Sequence, residues 1–322
     1  MAQKGSGRLF APSWPCGQFP PKGIFTKMND GFEIGSIPAA RPVLIAGPTA
    51  SGKSALAAAI VAQGGGVIVN ADALQVYGCW RVLTARPSIA EARALPHALY
   101  GHVGAGDDYS VGHWLREVQG EIAQGLRPVI VGGTGLYFSA LTDGLAQIPA
   151  TPAAVRAVAD ARMAAEGVAG LLAELDAATT ARIDIQNPAR VQRAWEVLTA
   201  TGRGLAAWQD QTGPAVLPLD AVTAIVLRPQ VDWLNARIDQ RFDTMMAEGA
   251  LEEARANLAD WVPTRASSRA IGAPELIAHL RGDLDLDAAV AQAKLASRQY
   301  AKRQRTWLRN RMKGWIPLDP GV

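Results

Sequence analysis

The segment from residue 47 to residue 54 has the residue types and spacing of a phosphate-binding loop. It reads Gly47-Pro48-Thr49-Ala50-Ser51-Gly52-Lys53-Ser54 and lies between an apolar run and a helix-prone run. Its glycines let backbone N–H groups face phosphate oxygens, Lys53 adds a full positive charge, and Ser54 could place a hydroxyl on Mg²⁺. The pattern predicts a bound phosphate chain without identifying it, whereas a simple glycine-rich turn is the other interpretation.

Two more polar residues follow apolar runs that read as strands. Asp72 comes after residues 67–70, and Thr134 comes after residues 128–131. A carboxylate there can accept a proton or hold Mg²⁺, although an Asp at this position can also cap a helix or face solvent. Thr134 lies in a second glycine-rich loop, which alone more often indicates a tight turn. No acidic residue ends the run at Val131, so ATP hydrolysis is not favoured.

Arg237 and Arg241 are four positions apart in a helical segment, so they share one helix face. Guanidinium groups suit phosphate oxygens because they offer several N–H donors in a planar fork. The alternative is an exposed helix in which Asp239 and Asp243 pair with these arginines.

The last long helical pattern carries charge of one sign. No acidic residue occurs between positions 288 and 318, whereas basic residues recur every three or four positions at Lys294, Arg298, Lys302, Arg305 and Arg309. Tyr300 and Trp307 lie on the other side. A charged helix face is usually only solvated, but the absence of compensating acids indicates contact with RNA phosphates.

These residues require elements that bring them together. Short β-branched runs separated by helical stretches predict an α/β fold: a P-loop-containing, doubly wound parallel sheet with an inserted helical domain. Ligands in such sheets bind beyond the carboxyl ends of the strands, so the loop at 47–54, Asp72 and Thr134 should meet in one crevice.

The predicted organisation has four parts. They are a disordered extension at 1–40, the first part of the P-loop core at 41–148, a helical insertion at 149–215, and the second part of the core with its basic C-terminal helix at 216–322. In the insertion, Asn187 and Pro188 predict a helix start that leaves Val191, Ala194 and Trp195 on one face. Residues 221–227 read as a further strand, and residues 233–251 and 284–312 as the clearest helices.

Composition narrows the class of protein. The chain has 322 residues, about half of them hydrophobic, and a net charge of only +3, so any nucleic-acid affinity must come from a local basic surface. Cys16, Cys79 and the four histidines do not have the spacing of a zinc site. No apolar run reaches the length of a membrane span, and residues 1–40 lack the apolar core of a secretory signal. We expect a reduced, cytoplasmic setting, no membrane contact and no obligate protein partner.

Taken together, the motifs resemble those of the tRNA dimethylallyltransferases, in order, over most of residues 41–315. They are G-P-T-A-S-G-K-S at 47–54, N-A-D-A-L-Q-V-Y at 70–77, T-A-R-P at 84–87, P-H-A-L at 96–99, V-G-G-T-G-L-Y at 131–137, R-I-D-Q-R-F at 237–242 and K-R-Q-R-T-W-L-R at 302–309. The resemblance implies transfer of a five-carbon prenyl group from dimethylallyl diphosphate to the exocyclic amine of the adenosine beside the tRNA anticodon.

The resemblance also implies roles for individual residues. The loop at 47–54, with Mg²⁺, Arg237 and Arg241, would stabilise the leaving diphosphate, while Asp72 accepts a proton from the adenine amine and Thr134 hydrogen-bonds nearby. Residues implied in contact with the anticodon loop of tRNA are Ala73, Leu74, Gln75, Arg156, Arg190, Gln192, Arg193, Lys302, Arg303, Arg305 and Arg309. The chain departs from the family pattern at Ala73, where Ser is usual, and at residues 272–275, where a G-Y-K-E-like segment is usual.

Three other functions use parts of the same pattern. A small-metabolite kinase would use the P-loop but has no need of the inserted helices or the basic tail. A non-enzymatic nucleotide-binding module would need neither Asp72 nor Thr134. A prenyltransferase acting on free adenine nucleotides is disfavoured by the basic tail.

Overall fold

A six-stranded, fully parallel sheet forms the centre of the molecule, and the computed structural model describes residues 32 to 320. The strands are β1 (Val43–Ala46), β2 (Val67–Asn70), β3 (His97–Ala98), β4 (Pro128–Gly132), β5 (Thr223–Leu227) and β6 (Ile316–Leu318). Their order across the sheet is β3-β2-β4-β1-β5-β6. The predicted fold class is therefore confirmed, since the apolar runs at 43, 67, 128 and 223 pair side by side.

Within residues 32–320, twelve α-helices connect and cover these strands. They are α1 (Lys53–Gly64), α2 (Ile89–Ala94), α3 (Val111–Ala123), α4 (Gly135–Thr142), α5 (Ala153–Leu172), α6 (Ala177–Arg182), α7 (Pro188–Thr201), α8 (Leu205–Gln209), α9 (Val231–Ala247), α10 (Ala250–Ala256), α11 (Ala273–Arg281) and α12 (Leu286–Arg311).

Alternating side chains of the strands build a core on each face of the sheet. On one face, Val43 and Ile45 pack with Leu56 and Ile60 of α1. On the other, Leu44 and its neighbours pack with α3, α4 and the end of α12. Strands buried on both faces explain the nearly continuous apolar runs in the sequence. The carboxyl ends of β1, β2 and β4 consequently open onto the same edge.

The region between α4 and β5 is helical. Asn187 caps α7 by accepting a hydrogen bond from the Arg190 N–H, with Pro188 in the first turn, as the sequence predicted. Val191 and Trp195 of α7 pack against Ala159 and Leu171 of α5, so these helices have an apolar cluster of their own. Gly167 interrupts α5 with a left-handed φ of 68°.

The structure corrects one expectation about order and adds two strands that the sequence did not predict. Residues 32 to 40 were expected in a disordered extension, but Phe32, Ile34 and Ile37 pack against the core around α1, so the expectation is wrong for them. Residues 1–31 lie outside the described part of the chain. The sequence also missed β3 and β6, because strands of two and three residues leave almost no periodic signal.

Candidate functional site

The P-loop links β1 to α1 and encloses a buried lysine. Gly52 turns the chain with a φ of 88°, and Ala50 also takes a left-handed φ of 61°. Lys53 begins α1, and its Nζ donates a hydrogen bond of 3.2 Å to the Pro48 carbonyl oxygen across the loop. Ser54 is exposed in the first turn of α1. The loop therefore combines an ammonium group, a helix N-terminus and an exposed hydroxyl.

Three charged groups interact around this loop. Burial lowers the pKa of Lys53 to about 8, the negative charge of Asp72 opposes that shift, and the positive charge of Arg241 adds to it. Burial also lowers the pKa of Arg241, again against the effect of Asp72. Lys53, Asp72 and Arg241 therefore lie close enough for their charges to interact, and the group carries an excess of positive charge suited to an anion.

Asp72 and Thr134 are joined through neighbouring backbone groups. Thr134 Oγ1 accepts a hydrogen bond of 2.9 Å from the Ala73 N–H, and the Thr134 N–H donates to the Ala71 carbonyl oxygen at 3.2 Å. Asp72 Oδ1 accepts from the Leu74 N–H at 3.0 Å. A Cβ at Gly132 would overlap the Ala71 oxygen, so only glycine permits this approach of the two loops. The Thr134 O–H remains able to donate to a ligand.

Three tyrosines lie close enough to Asp72 for its charge to act on them. Burial is the main cause that raises the pKa of Tyr100, Tyr137 and Tyr300, and the charge of Asp72 is the second cause for each. These phenols stay protonated at neutral pH. Asp72 is thus a half-buried carboxylate with neutral phenols and the cations Lys53 and Arg241 nearby, and it lines the crevice, where it could accept a proton from a ligand.

Arg237 of α9 contacts the P-loop, and Arg241, one turn later, lines the crevice. Arg237 Nε donates to the Ala50 carbonyl oxygen at 3.2 Å, and its guanidinium lies 4.7 Å from the Trp233 ring centre. Asp239 and Asp243 pair with Arg298 and Lys294 of α12 instead. The alternative in which those acids neutralise Arg237 and Arg241 is therefore wrong.

The crevice between these groups has polar and apolar walls. Its polar lining includes Thr49, Asp72, Arg241 and Tyr300. Its apolar lining comes from α9 and the loops facing it, namely Leu74, Leu83, Ile238, Phe242, Met245 and Ile271. A ligand with an anionic end and a short hydrocarbon end matches these two walls.

Sequence reasoning missed Gln304 and Glu253. Gln304 Oε1 accepts from the Thr49 N–H at 2.8 Å, and its Nε2 donates to the Gly133 carbonyl oxygen at 3.1 Å. Glu253 accepts hydrogen bonds from the N–H groups of residues 81–83, the loop that carries Leu83 into the crevice. The signal for Gln304 was an uncharged residue within the basic run, on the same face as Tyr300.

Residues predicted to contact tRNA fall into separate groups. Leu74 lines the crevice beside Asp72, while the Gln75 amide nitrogen donates to the Thr84 and Ala85 carbonyl oxygens and so is occupied within the protein. Ala73 is half-buried, with its N–H on Thr134.

The candidates in the insertion lie on α5 and α7 and do not line this crevice. Arg156 and Arg193 approach the buried carboxylate of Glu196 at 3.8 and 3.7 Å, and the Gln192 amide donates to it at 3.3 Å. Arg190 lies 4.0 Å from Asp184. Glu196 thus gathers three of the four candidates on one surface.

Acidic residues of α9 neutralise part of the basic face of α12. Its first half is compensated, because Lys294 and Arg298 pair with α9, which corrects the prediction of an uncompensated stripe. In its second half, Lys302, Arg303 and Arg309 are exposed and Arg305 is half-buried. The Arg303 guanidinium lies 5.7 Å from the Tyr300 ring centre.

Two further kinds of feature are absent from residues 32–320. No helix in this range is both long and apolar enough to span a membrane. The same range contains no cluster of three or more His, Cys, Asp or Glu side chains able to hold a metal ion.

Comparison with known proteins gives a consistent family. The family model described as IPP transferase matches residues 75–311. The chain is 72% identical over 287 residues to a tRNA dimethylallyltransferase of Cereibacter sphaeroides, covering 89% of this chain and 91% of that protein. It is 64% identical over 280 residues to a tRNA dimethylallyltransferase of Roseobacter denitrificans, covering 87% and 99%.

Solved structures agree with this result. The tRNA isopentenylpyrophosphate transferase of Bacillus halodurans superposes with a TM-score of 0.61 and 28% identity, covering 87% of this chain and 90% of that one. A eukaryotic dimethylallyltransferase, described as acting on tRNA, superposes with a TM-score of 0.72 at 22% identity, covering 87% and 73%. The second likeness concerns the fold alone.

Proposed function

The chain belongs to the IPP transferase family, and we infer that its crevice transfers a dimethylallyl group from dimethylallyl diphosphate to the exocyclic amine of the adenosine beside the tRNA anticodon. The observation that carries this inference is that Asp72 and Arg241 line one crevice that also has an apolar wall, with the buried Lys53 close enough for both of their charges to act on it. The reaction breaks the carbon–oxygen bond of the donor, forms a carbon–nitrogen bond and releases diphosphate.

We propose that the P-loop holds the diphosphate of the donor. Backbone N–H groups of residues 52–54 at the start of α1, the Lys53 ammonium, Arg237 and Arg241 would balance the charge that grows on the diphosphate as the bond breaks. The apolar side chains Leu83, Phe242 and Met245 would hold the hydrocarbon part and exclude water from the reacting carbon.

A divalent cation fits the donor side of the site. Protein sites for Mg²⁺ on phosphates use one or two protein oxygens, with phosphate oxygens and water as the other ligands. The exposed Ser54 hydroxyl at the start of α1 is such an oxygen, and a dedicated multi-carboxylate cage is absent from residues 32–320. We propose that Ser54 holds Mg²⁺ when the donor is bound; the ion would supply charge neutralisation for the leaving diphosphate.

Asp72 is proposed as the general base for the acceptor. As the amine nitrogen attacks the prenyl carbon, its proton would pass to the Asp72 carboxylate. Thr134 would donate a hydrogen bond at the same centre, held there by the Ala73 N–H and the Ala71 oxygen. The adenosine has to leave its stack in the anticodon loop to enter the crevice.

Two surfaces outside the crevice are proposed to bind the tRNA. These are the helical insertion at 149–215, through Arg156, Arg190, Gln192 and Arg193, and the core at 216–322, through the exposed end of α12. Residues 73–75 would lie near the acceptor base because Leu74 lines the crevice. Since tRNA is the acceptor, we place the reaction in the cytoplasm.

The direct experiment supplies the purified protein with labelled dimethylallyl diphosphate and one of two acceptors, bulk tRNA or AMP. We expect label in tRNA, lost when the tRNA carries guanosine beside the anticodon, and no label in AMP. A parallel incubation with ATP tests the kinase alternative, and phosphate transfer without prenyl transfer would overturn the proposal.

A further inference from the structure

Gln304 is the point at which α12 contacts both loops of the crevice. Gln304 is 6% exposed, although of its neighbours in the sequence Arg303 is exposed and Arg305 is half-buried. It bonds the Thr49 N–H of the P-loop and the Gly133 oxygen of the loop before Thr134. The two bonds fix the orientation of the amide, since exchanging its oxygen and nitrogen would turn both into repulsive contacts.

The space between Gln304 and the loop that carries Thr134 is fully occupied. A Cβ at Gly133 would overlap Gln304 Nε2, and a Cβ at Gly135 would overlap the Trp307 ring. Gln304 and Trp307 therefore press one face of α12 directly onto the backbone of the loop that carries Thr134. The Gly47 N–H also donates to the Gly132 oxygen at 3.3 Å, so the two loops are already neighbours at their bases.

We propose that Gln304 is a positioning residue that sets the distance between the donor loop and the acceptor loop, and so holds the prenyl carbon within reach of the adenosine amine. This rests on the proposed function, in which the P-loop holds the donor and Thr134 faces the acceptor. Gln304 acts through Thr49 and Gly133 and does not touch the reacting atoms. A displacement of about 1 Å between reacting groups can lower a rate about 100-fold, because the bound geometry no longer resembles the transition state.

The test replaces Gln304 with Met, which keeps the length and, without adding charge, removes the hydrogen bonds to Thr49 and Gly133 together with the one to Tyr300. We expect the single-turnover rate at saturating donor and tRNA to fall about 10- to 100-fold, while the dissociation constants of both substrates change less than about threefold. The exposed Gln299→Met on the same helix is the matched control and should behave as the native protein. An unchanged rate in Gln304→Met, or equal losses in rate and in both affinities, would overturn the proposal.

A second variant keeps the test decisive if Gln304→Met folds poorly. In Gln304→Glu an ionised carboxylate can accept from Thr49 but faces the Gly133 oxygen without a proton, whereas a protonated carboxyl restores the donor. At saturating donor, the rate relative to native protein should therefore rise several-fold as the pH falls from about 8 to about 6. A pH-independent ratio would contradict the role. If the native protein transfers no prenyl group, the result would instead contradict the proposed function itself.

Discussion

At the scale of single residues, the charge on Lys53 makes donor binding depend on pH. Burial leaves its pKa at about 8, so the free enzyme loses the ammonium proton as the pH rises through 8. The ammonium form of Lys53 attracts diphosphate, whereas its neutral amine form does not. Donor affinity should therefore fall above pH 8, by up to about tenfold per unit of pH. Calorimetric titration of dimethylallyl diphosphate from about pH 6.5 to about pH 9.5 measures this, with Lys53→Gln as a control that binds weakly and lacks this step. Equal pH profiles in the two proteins would rule out the role.

A substitution at Asp72 should lower the rate of the chemical step without changing tRNA binding. In Asp72→Asn the amide oxygen can still accept from the Leu74 N–H, so the loop should keep its shape while the base is lost. We expect native tRNA affinity and a single-turnover rate lowered by about 10²- to 10⁴-fold. Rapid-quench measurement of prenylated tRNA gives the rate, and filter binding gives the affinity. An unchanged rate would make Asp72 only a turn-stabilising residue.

At the scale of elements, α12 offers two halves for comparison. Neutralising the exposed Lys302 and Arg309 to Gln should weaken tRNA binding and reduce the log–log slope with salt by about 0.7–0.9 for each phosphate that the variant no longer neutralises. The matched pair Lys294→Gln and Arg298→Gln removes the same charge from residues that face acids of α9, and should leave the slope nearly unchanged. Equal slope changes in the two double variants would show that only total charge matters.

The seating of α12 on α4 can be tested through a glycine. A methyl group at Gly135 would collide with Trp307, so Gly135→Ala should lower the free energy of unfolding by about 1–3 kcal/mol. Gly120→Ala is the control, because Gly120 lies in α3 with open space around it and alanine favours helix by about 0.5–1 kcal/mol. Urea unfolding of both variants checks the pair. Similar stability of the two would mean that Trp307 moves aside at little cost.

At the scale of the whole molecule, the sequence predicted the elements whose residue pattern is regular. The apolar runs at β1, β2, β4 and β5 were readable because buried parallel strands leave nearly unbroken apolar segments. The rule that ligands bind beyond the strand ends then predicted that Lys53, Asp72 and Thr134 lie together.

The sequence could not predict which charges meet across long separations. Asp239 pairs with Arg298 rather than with its own helix, and Gln304 bonds Thr49 across 255 positions. Such contacts depend on how α9 and α12 pack, and local patterns carry no record of that packing. The packing of Phe32 and Ile34 on α1 was missed for the same reason.

The proposed function depends above all on the P-loop holding a prenyl diphosphate with its reacting carbon facing Asp72. A crystal structure of this protein with Mg²⁺ and the thio analogue of dimethylallyl diphosphate, which resists cleavage, would show that arrangement. We expect diphosphate oxygens on the N–H groups of residues 52–54 at the start of α1 and on Lys53 Nζ, the ion on Ser54, and the prenyl group against Phe242 and Met245. A diphosphate bound elsewhere, or a prenyl group pointing away from Asp72, would contradict the proposal.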